Sequence, residues 1–193
     1  MTGFEVHDEM GCAGQKEWWS GTLPTQIHDK QGRLIHVRAY EDKDFEGLKE
    51  MYDTFEPKGL ESGLPPPDDQ VRLRWLHYMI SDLCNILAIH KNQPVGHTAL
   101  DLSCTPSCPE YLIFIRKGFR DCGIGTTLST AMKAIAKQSG CEKVVVTVRA
   151  ANTRAIRVFE KVGFVLRGGI DRDRDMELCL RPRRTTRPRA CKK

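Results

Sequence analysis

The stretch from Glu110 to Phe164 constrains this chain more than any other. Tyr111-Leu112-Ile113-Phe114-Ile115 is short and apolar, as a buried strand is. Arg120-Asp121-Cys122-Gly123-Ile124-Gly125-Thr126 then leads into Leu128, Ala131, Met132 and Ile135, whose i, i+3, i+4, i+7 spacing predicts a helix. Gly140 stops that helix. Lys143 to Arg149 is valine-rich and reads as a second strand. Asn152-Thr153-Arg154-Ala155-Ile156 opens another helix, which closes at Gly163-Phe164. The order is strand, glycine turn, helix, strand, helix.

The turn has a chemical meaning. Gly123 and Gly125 lack Cβ, so a bulky anion can approach the main chain and unusual φ angles cost little. A helix N-terminus offers unpaired N–H donors and the positive end of a dipole. Together they suit a phosphate. The turn is no P-loop, because no Gly-Lys-Ser/Thr follows. It is no dinucleotide fingerprint either, since a third glycine is missing and no acid closes the next strand.

Arg120-x-x-Gly123-x-Gly125 and Asn152-x-x-Ala155-Ile156-x-x-Phe159-Glu160-Lys161-x-Gly163-Phe164, in this order, resemble the GNAT superfamily of N-acetyltransferases. The resemblance covers the second half of the chain and is looser from Ile35 to Ser103. It implies acetyl-CoA as acyl donor and direct transfer to a primary amine in a ternary complex. By resemblance, the main chain of Ile113, Phe114 and Ile115 holds the pantetheine arm, and an N–H at Ile115 stabilises the oxyanion. Arg120, Asp121, Cys122, Gly123, Ile124, Gly125 and Thr126 wrap the diphosphate, with Asn152 and Phe159 on the other side. Many members carry Tyr where this chain has Phe159, as proton donor to the thiolate. Some carry Glu where it has Thr147. Glu110 is one position out of register with a family glutamate base. Glu110 and Glu56 are therefore the candidate bases, acting through water. An acyl-CoA-binding sensor without turnover is the alternative.

The rest of the chain fits one domain. Leu34 to Tyr40 predicts a strand, and Phe45, Leu48, Met51, Tyr52 and Phe55 the apolar face of a helix. A loop with Pro65-Pro66-Pro67 follows. Next comes a helix carrying Val71, Trp75, Met79 and Leu83, with Leu76 and Ile80 beside them. Asn85 to His90 and Val95 to Leu102 read as a hairpin turning at Lys91-Asn92-Gln93, and Met176 to Leu180 as a final strand. The fold class is α/β (α+β): a mixed, mostly antiparallel sheet with helices on both faces. Residues 1–33 read as an extension, 34–180 as the acetyltransferase domain and 181–193 as a basic tail.

Charge and cysteine narrow the partners. The formal charge is +5. Seven basic residues and no acid lie between Arg181 and Lys193, so the basic balance belongs to that tail. Such a tail suits a solvated end better than nucleic acid. The acids Glu56, Glu61, Asp68 and Asp69 suggest a cationic acceptor, a protein lysine or a polyamine. Eight scattered cysteines predict free thiols rather than a disulfide framework. Cys104-x-x-x-Cys108 lacks the further ligands a metal needs. Cys122, if exposed within the loop, would let alkylating reagents block the cofactor. His97 reads as a strand residue with a satisfied ring. No apolar run reaches the ~18 residues of a membrane span, and Met1 to Met10 is no secretory signal, so a cytoplasmic protein is expected.

Overall fold

The computed structural model describes residue 23 and residues 25–59, 63–102, 109–169 and 172–180. Five strands make one antiparallel sheet in chain order: β1 (Thr25–His28), β2 (Leu34–Ala39), β3 (Cys84–His90), β4 (Gln93–Leu100) and β5 (Tyr111–Ile115). Three more make a second antiparallel sheet in the order β6 (Lys143–Arg149), β8 (Asp173–Cys179), β7 (Val165–Arg167). A parallel bridge between Glu110 and Val145 joins the two sheets. The Val145 amide adds a hydrogen bond to the Pro109 carbonyl at 3.1 Å.

Two helical layers cover the sheets. Helices α1 (Phe45–Asp53) and α2 (Asp69–Asp82) bring Leu48, Met51, Tyr52, Leu76 and Met79 against Leu87, Ile89, Ala99 and Phe114. On the opposite face, α3 (Ile124–Gln138) and α4 (Thr153–Val162) bring Leu128, Met132, Ile135 and Phe159 against Ile35, Ala88, Leu100 and Tyr111. The same layer buries Val144, Val146 and Val148 of β6 with Met176 and Leu178 of β8. Each fully buried large apolar side chain contributes ~1.5–3 kcal/mol, against ~0–1 kcal/mol for an exposed ion pair. The two apolar clusters, rather than the surface charges, hold the sheets and helices together.

Several sequence expectations shift. Strand β1 lies within the stretch read as an extension, and its four residues pair with Leu34–Val37 of β2. Val71 of α2 is exposed, whereas Arg72, Leu76 and Met79 are buried. The buried face turns because the Arg72 guanidinium finds four acceptors: the Asp53 and Asp69 carboxylates at 2.7 Å and the Pro66 and Pro67 carbonyls at 3.1 Å. The hairpin turn needs only Lys91 and Asn92, both at positive φ (48° and 63°), so β4 starts at Gln93. Strand β8 starts at Asp173 and buries Met176 and Leu178, leaving Cys179 exposed. The pair Cys104 and Cys108, Glu61 and the basic tail lie outside the described residues.

Candidate active site

The alternation of hydrogen bonds along β5 builds the site. The Arg116 amide donates to the Val95 carbonyl at 2.9 Å, and the Asp101 amide to the Glu110 carbonyl at 3.2 Å. Every second residue faces the same neighbour, so 110, 112, 114 and 116 give their backbone groups to β4. Those of Ile113 and Ile115 turn the other way, towards β6. Strand β6 answers in kind. Its bonds to β8 are framed by Ala150 to Arg172 and Leu180 to Glu142, both at 2.9 Å. The backbone groups of Thr147 and Arg149 therefore turn towards β5. The two strands touch at Glu110 and Val145 and are paired to each other nowhere further along, among the described residues. A wedge edged by main-chain amides opens between them. Phe114 stands apart from its neighbours: its backbone belongs to the β4 ladder and its ring packs on Tyr52, Phe55 and Trp75.

At the wide end sits the glycine turn. Gly123 caps α3 at φ 94°, and Asp121 before it lies at φ 61°. The first helical bond is from the Thr127 amide to the Gly123 carbonyl, 3.1 Å. The N–H groups of Ile124, Gly125 and Thr126 precede it and have no acceptor inside the helix. Nothing lies within 4 Å of where a Gly123 Cβ would stand. A Gly125 Cβ would make only ordinary contacts, 3.5 Å from Val158 and 3.9 Å from Ile113. Among the described residues, no side chain comes closer than 3.5 Å to either Cβ position.

Two guanidinium groups flank it. Arg120 donates from Nε to the Ile115 carbonyl at 2.9 Å and from Nη2 to the Glu56 carbonyl at 2.6 Å, with its plane over the Phe55 ring. Burial, then the neighbouring Arg154 charge, pushes the Arg120 pKa below its ordinary value. Arg154, on the first turn of α4, pairs with Asp121 at 3.0 Å. Asn152 caps α4 by accepting the Ala155 amide at 3.1 Å. Cys122 is buried, not exposed: its thiol donates to the Arg120 carbonyl at 3.2 Å. Alkylation of the folded loop at this thiol is thereby opposed.

The candidate acid–base groups fall in different places. Glu56 lies one guanidinium away from the end of β5, and its side chain is 71% exposed. Glu110 lies at the closed end of the wedge, roughly 16 Å of strand from Ile115. Phe159 is 2% exposed and packed between Tyr111 and Phe164, so it fills core and donates nothing. Thr147 turns its hydroxyl outward to Asp175 at 2.8 Å. His97 is buried, and burial lowers its pKa to about 3. Asn85 Nδ2 donates to the Met79 and Leu83 carbonyls, so its Oδ1 accepts from His97 Nε2 at 2.9 Å. His97 Nδ1 then accepts the Tyr52 hydroxyl at 2.6 Å. The ring is neutral, fully bonded and closed to proton transfer.

The described acids of the loop have partners. Glu56 faces Lys117 at 3.6 Å, Asp69 takes Arg72 at 2.7 Å, and Asp68 caps α2 through the Val71 amide. Among the described residues no group of three or more His, Cys, Asp or Glu could hold a metal ion. No helix described is long and apolar enough to cross a membrane.

The signature of the Acetyltransferase (GNAT) family matches residues 46–164, which is more than half of the chain. The chain belongs to the GNAT acetyltransferase family. As a member it is an acetyl-CoA-dependent N-acetyltransferase. Solved GNAT structures share its fold. The GNAT domain of S. lividans PAT superposes with a TM-score of 0.71 at 17% identity, covering 85% of this chain and 98% of that one. The yncA protein from Salmonella typhimurium, determined with its cofactor acetyl-CoA, gives 0.60 at 16% identity, covering 81% and 99%. Spermidine N-acetyltransferase from Vibrio cholerae, in complex with CoA and spermine, gives 0.61 at 17%, covering 76% and 95%. None of the curated proteins matches the chain by sequence.

Three residues near the turn take on a supporting role that only the fold reveals. Arg154 opens α4, but its partner Asp121 is 33 positions away. Phe55 supports Arg120 across 65 positions, and Arg33 reaches Gly118 across 85. Only folding brings such groups together.

Proposed function

We propose that this GNAT enzyme holds acetyl-CoA in the wedge between β5 and β6 and passes its acetyl group to a primary amine in a ternary complex. One observation carries the reading: two strands paired at one end part towards a helix N-terminus whose two glycines, among the described residues, have no side chain within 3.4 Å of their Cβ positions. The N–H groups from Gly123 to Thr126 suit the diphosphate, with Arg120 and Arg154 adding charge at its flanks. Ile113 and Ile115 offer their wedge-facing main chain to the pantetheine arm. Bound acetyl-CoA supplies an activated acetyl group, which the amine takes in exchange for the thiol. The N–H groups of Ile113 and Ile115 face the space where a thioester oxygen would gain charge, and such donors are worth ~10²–10³-fold in rate. Glu56, beside the end of β5, accepts the amine proton through a water. Glu110, at the closed end, is the weaker candidate. Phe159 leaves the thiolate to depart without a tyrosine donor.

The acceptor is a primary amine of a protein lysine or of a polyamine. Because the acids near the loop are already paired, charge alone favours neither. Mass spectrometry of a cell lysate incubated with the enzyme and labelled acetyl-CoA separates them. Label on lysine side chains supports a protein acceptor, and label on a small polycation supports the other. A thiol-release screen over amines and lysine peptides that stays flat with acetyl-CoA bound overturns turnover and favours the sensor reading, which the buried Phe159 motivates.

A further inference from the structure

Strand β1 and its turn do more than extend the sheet. The turn between β1 and β2 is tied by Asp29, whose side chain is fully buried. Asp29 Oδ1 accepts the Gln31 and Arg33 amides at 2.9 and 3.0 Å, and Oδ2 accepts Arg33 Nε at 2.7 Å. Burial alone would raise the Asp29 pKa, but these donors outweigh it and hold the carboxyl below its ordinary value. Arg33, so fixed, faces the segment from Arg116 to Cys122. Its Nη1 donates to the Gly118 carbonyl at 3.0 Å, and Nη2 lies 3.5 Å from the Cys122 thiol. Its guanidinium lies 3.8 Å over the Phe119 ring. The Lys30 amide adds a bond to the Cys122 carbonyl at 3.1 Å.

The contacts converge on a segment that needs holding. Positive-φ backbone brackets Cys122 at its end: Asp121 lies at φ 61° before it and Gly123 at φ 94° after it. A non-glycine residue at positive φ costs ~1–3 kcal/mol and persists where its surroundings over-determine it. The front of the turn, where Arg154 meets Asp121, is 59–62% exposed and supplies little. The support comes from behind.

We propose that Asp29 and Arg33 are positioning residues for the diphosphate grip: the β1–β2 turn clamps the Arg116–Cys122 segment from its rear and so sets where the amides of Gly123 to Thr126 point. Neither residue touches the donor. The proposal rests on the reading of that turn as the diphosphate site.

The test uses the full chain and two donors, acetyl-CoA and S-acetylpantetheine, which lacks the diphosphate. Calorimetry on Arg33→Met is expected to show about tenfold weaker acetyl-CoA binding, a change of ~1.4 kcal/mol. Its affinity for S-acetylpantetheine is expected to stay within about twofold of the parent, an effect general destabilisation would not reproduce. Asp29→Asn keeps the side-chain volume and serves if Arg33→Met fails to fold, with the same expected pattern. Equal losses for both donors, or no loss for acetyl-CoA, overturn the clamp. Gly125→Val separates this from the parent reading. If Gly125→Val abolishes acetyl-CoA binding while the clamp variants do not weaken it, the clamp alone fails. If none of them weakens it, the diphosphate site fails with it.

Discussion

Replacing Gly125 by valine should abolish acetyl-CoA binding while leaving the fold standing. The reasoning starts from the space around the position. A Cβ there meets Val158 at 3.5 Å and Ile113 at 3.9 Å, ordinary contact distances, so the packing between α3, α4 and β5 accepts it. The two further methyl groups would narrow the approach to the N–H donors of Gly125 and Thr126. Each hydrogen bond to a charged group is worth ~1.5–3 kcal/mol. Losing two costs ~3–6 kcal/mol, which weakens binding more than about a hundredfold. The contrast is Gly123→Ala. Its Cβ meets nothing within 4 Å, but φ 94° strains any L residue by ~1–2 kcal/mol. In a chain of this size that lowers the melting temperature by about 2–4 °C per kcal/mol. Calorimetry with acetyl-CoA and thermal melting of each variant without ligand form the assay. An affinity within threefold of the parent in Gly125→Val refutes the reasoning. So does a melting point lowered more in Gly125→Val than in Gly123→Ala.

Three further outcomes are expected. Glu56→Gln should lower kcat by about 10²-fold and Glu110→Gln by only a few-fold, read by thiol release at saturating donor; the reverse ranking would move the base to the closed end of the wedge. Phe159→Tyr should leave kcat unchanged and lower the melting temperature, because the added hydroxyl enters a packed site between Tyr111 and Phe164 and loses ~1–3 kcal/mol if unpaired; a gain in rate would show that this ring reaches the thiol. His97 has a pKa of about 3 when folded and takes up its proton near 6.5 when unfolded. The unfolded chain thus binds the extra proton between those values, and stability falls as pH drops through that window by up to ~1.4 kcal/mol per unit. Urea unfolding at pH 7 and pH 4 should show a steeper loss for the parent than for His97→Gln, and parallel losses would contradict the buried neutral ring.

Much of the second half was legible because local pattern and tertiary role coincide there. The i, i+3, i+4, i+7 residues of α3 are the ones that bury, and the valines of β6 alternate as the core requires. Val71 misled because α2 is amphipathic around an arginine: Arg72 takes a core position only because Asp53, Asp69 and two proline carbonyls await it, and no periodicity reports that. Strand β1 hid for the opposite reason. In Thr25-Gln26-Ile27-His28 only Ile27 is strongly apolar, and the strand lies at a half-covered sheet edge where hydrophobicity is not demanded. The glycine turn could be read from its residues, but the direction of the Ile113 and Ile115 amides could not. That depends on which residues pair with β4, and a shift of one would have turned them away from β6. The acidic residues of the loop were legible, but their partners Lys117 and Arg72, 61 and 3 positions away, were not.

The divergence of β5 from β6 also bears on how the enzyme breathes. Among the described residues the two sheets, fastened at one end, share no ladder beyond it, and on the proposed reading the coenzyme arm would stand in for the missing rungs. Empty enzyme should therefore exchange the Ile113 and Ile115 amide hydrogens readily, and the loaded enzyme slowly, with the two halves stiffening as one body. On that reading, release of spent coenzyme would mean unzipping a surrogate strand, and turnover would depend on the opening rate of this seam as well as on acetyl transfer.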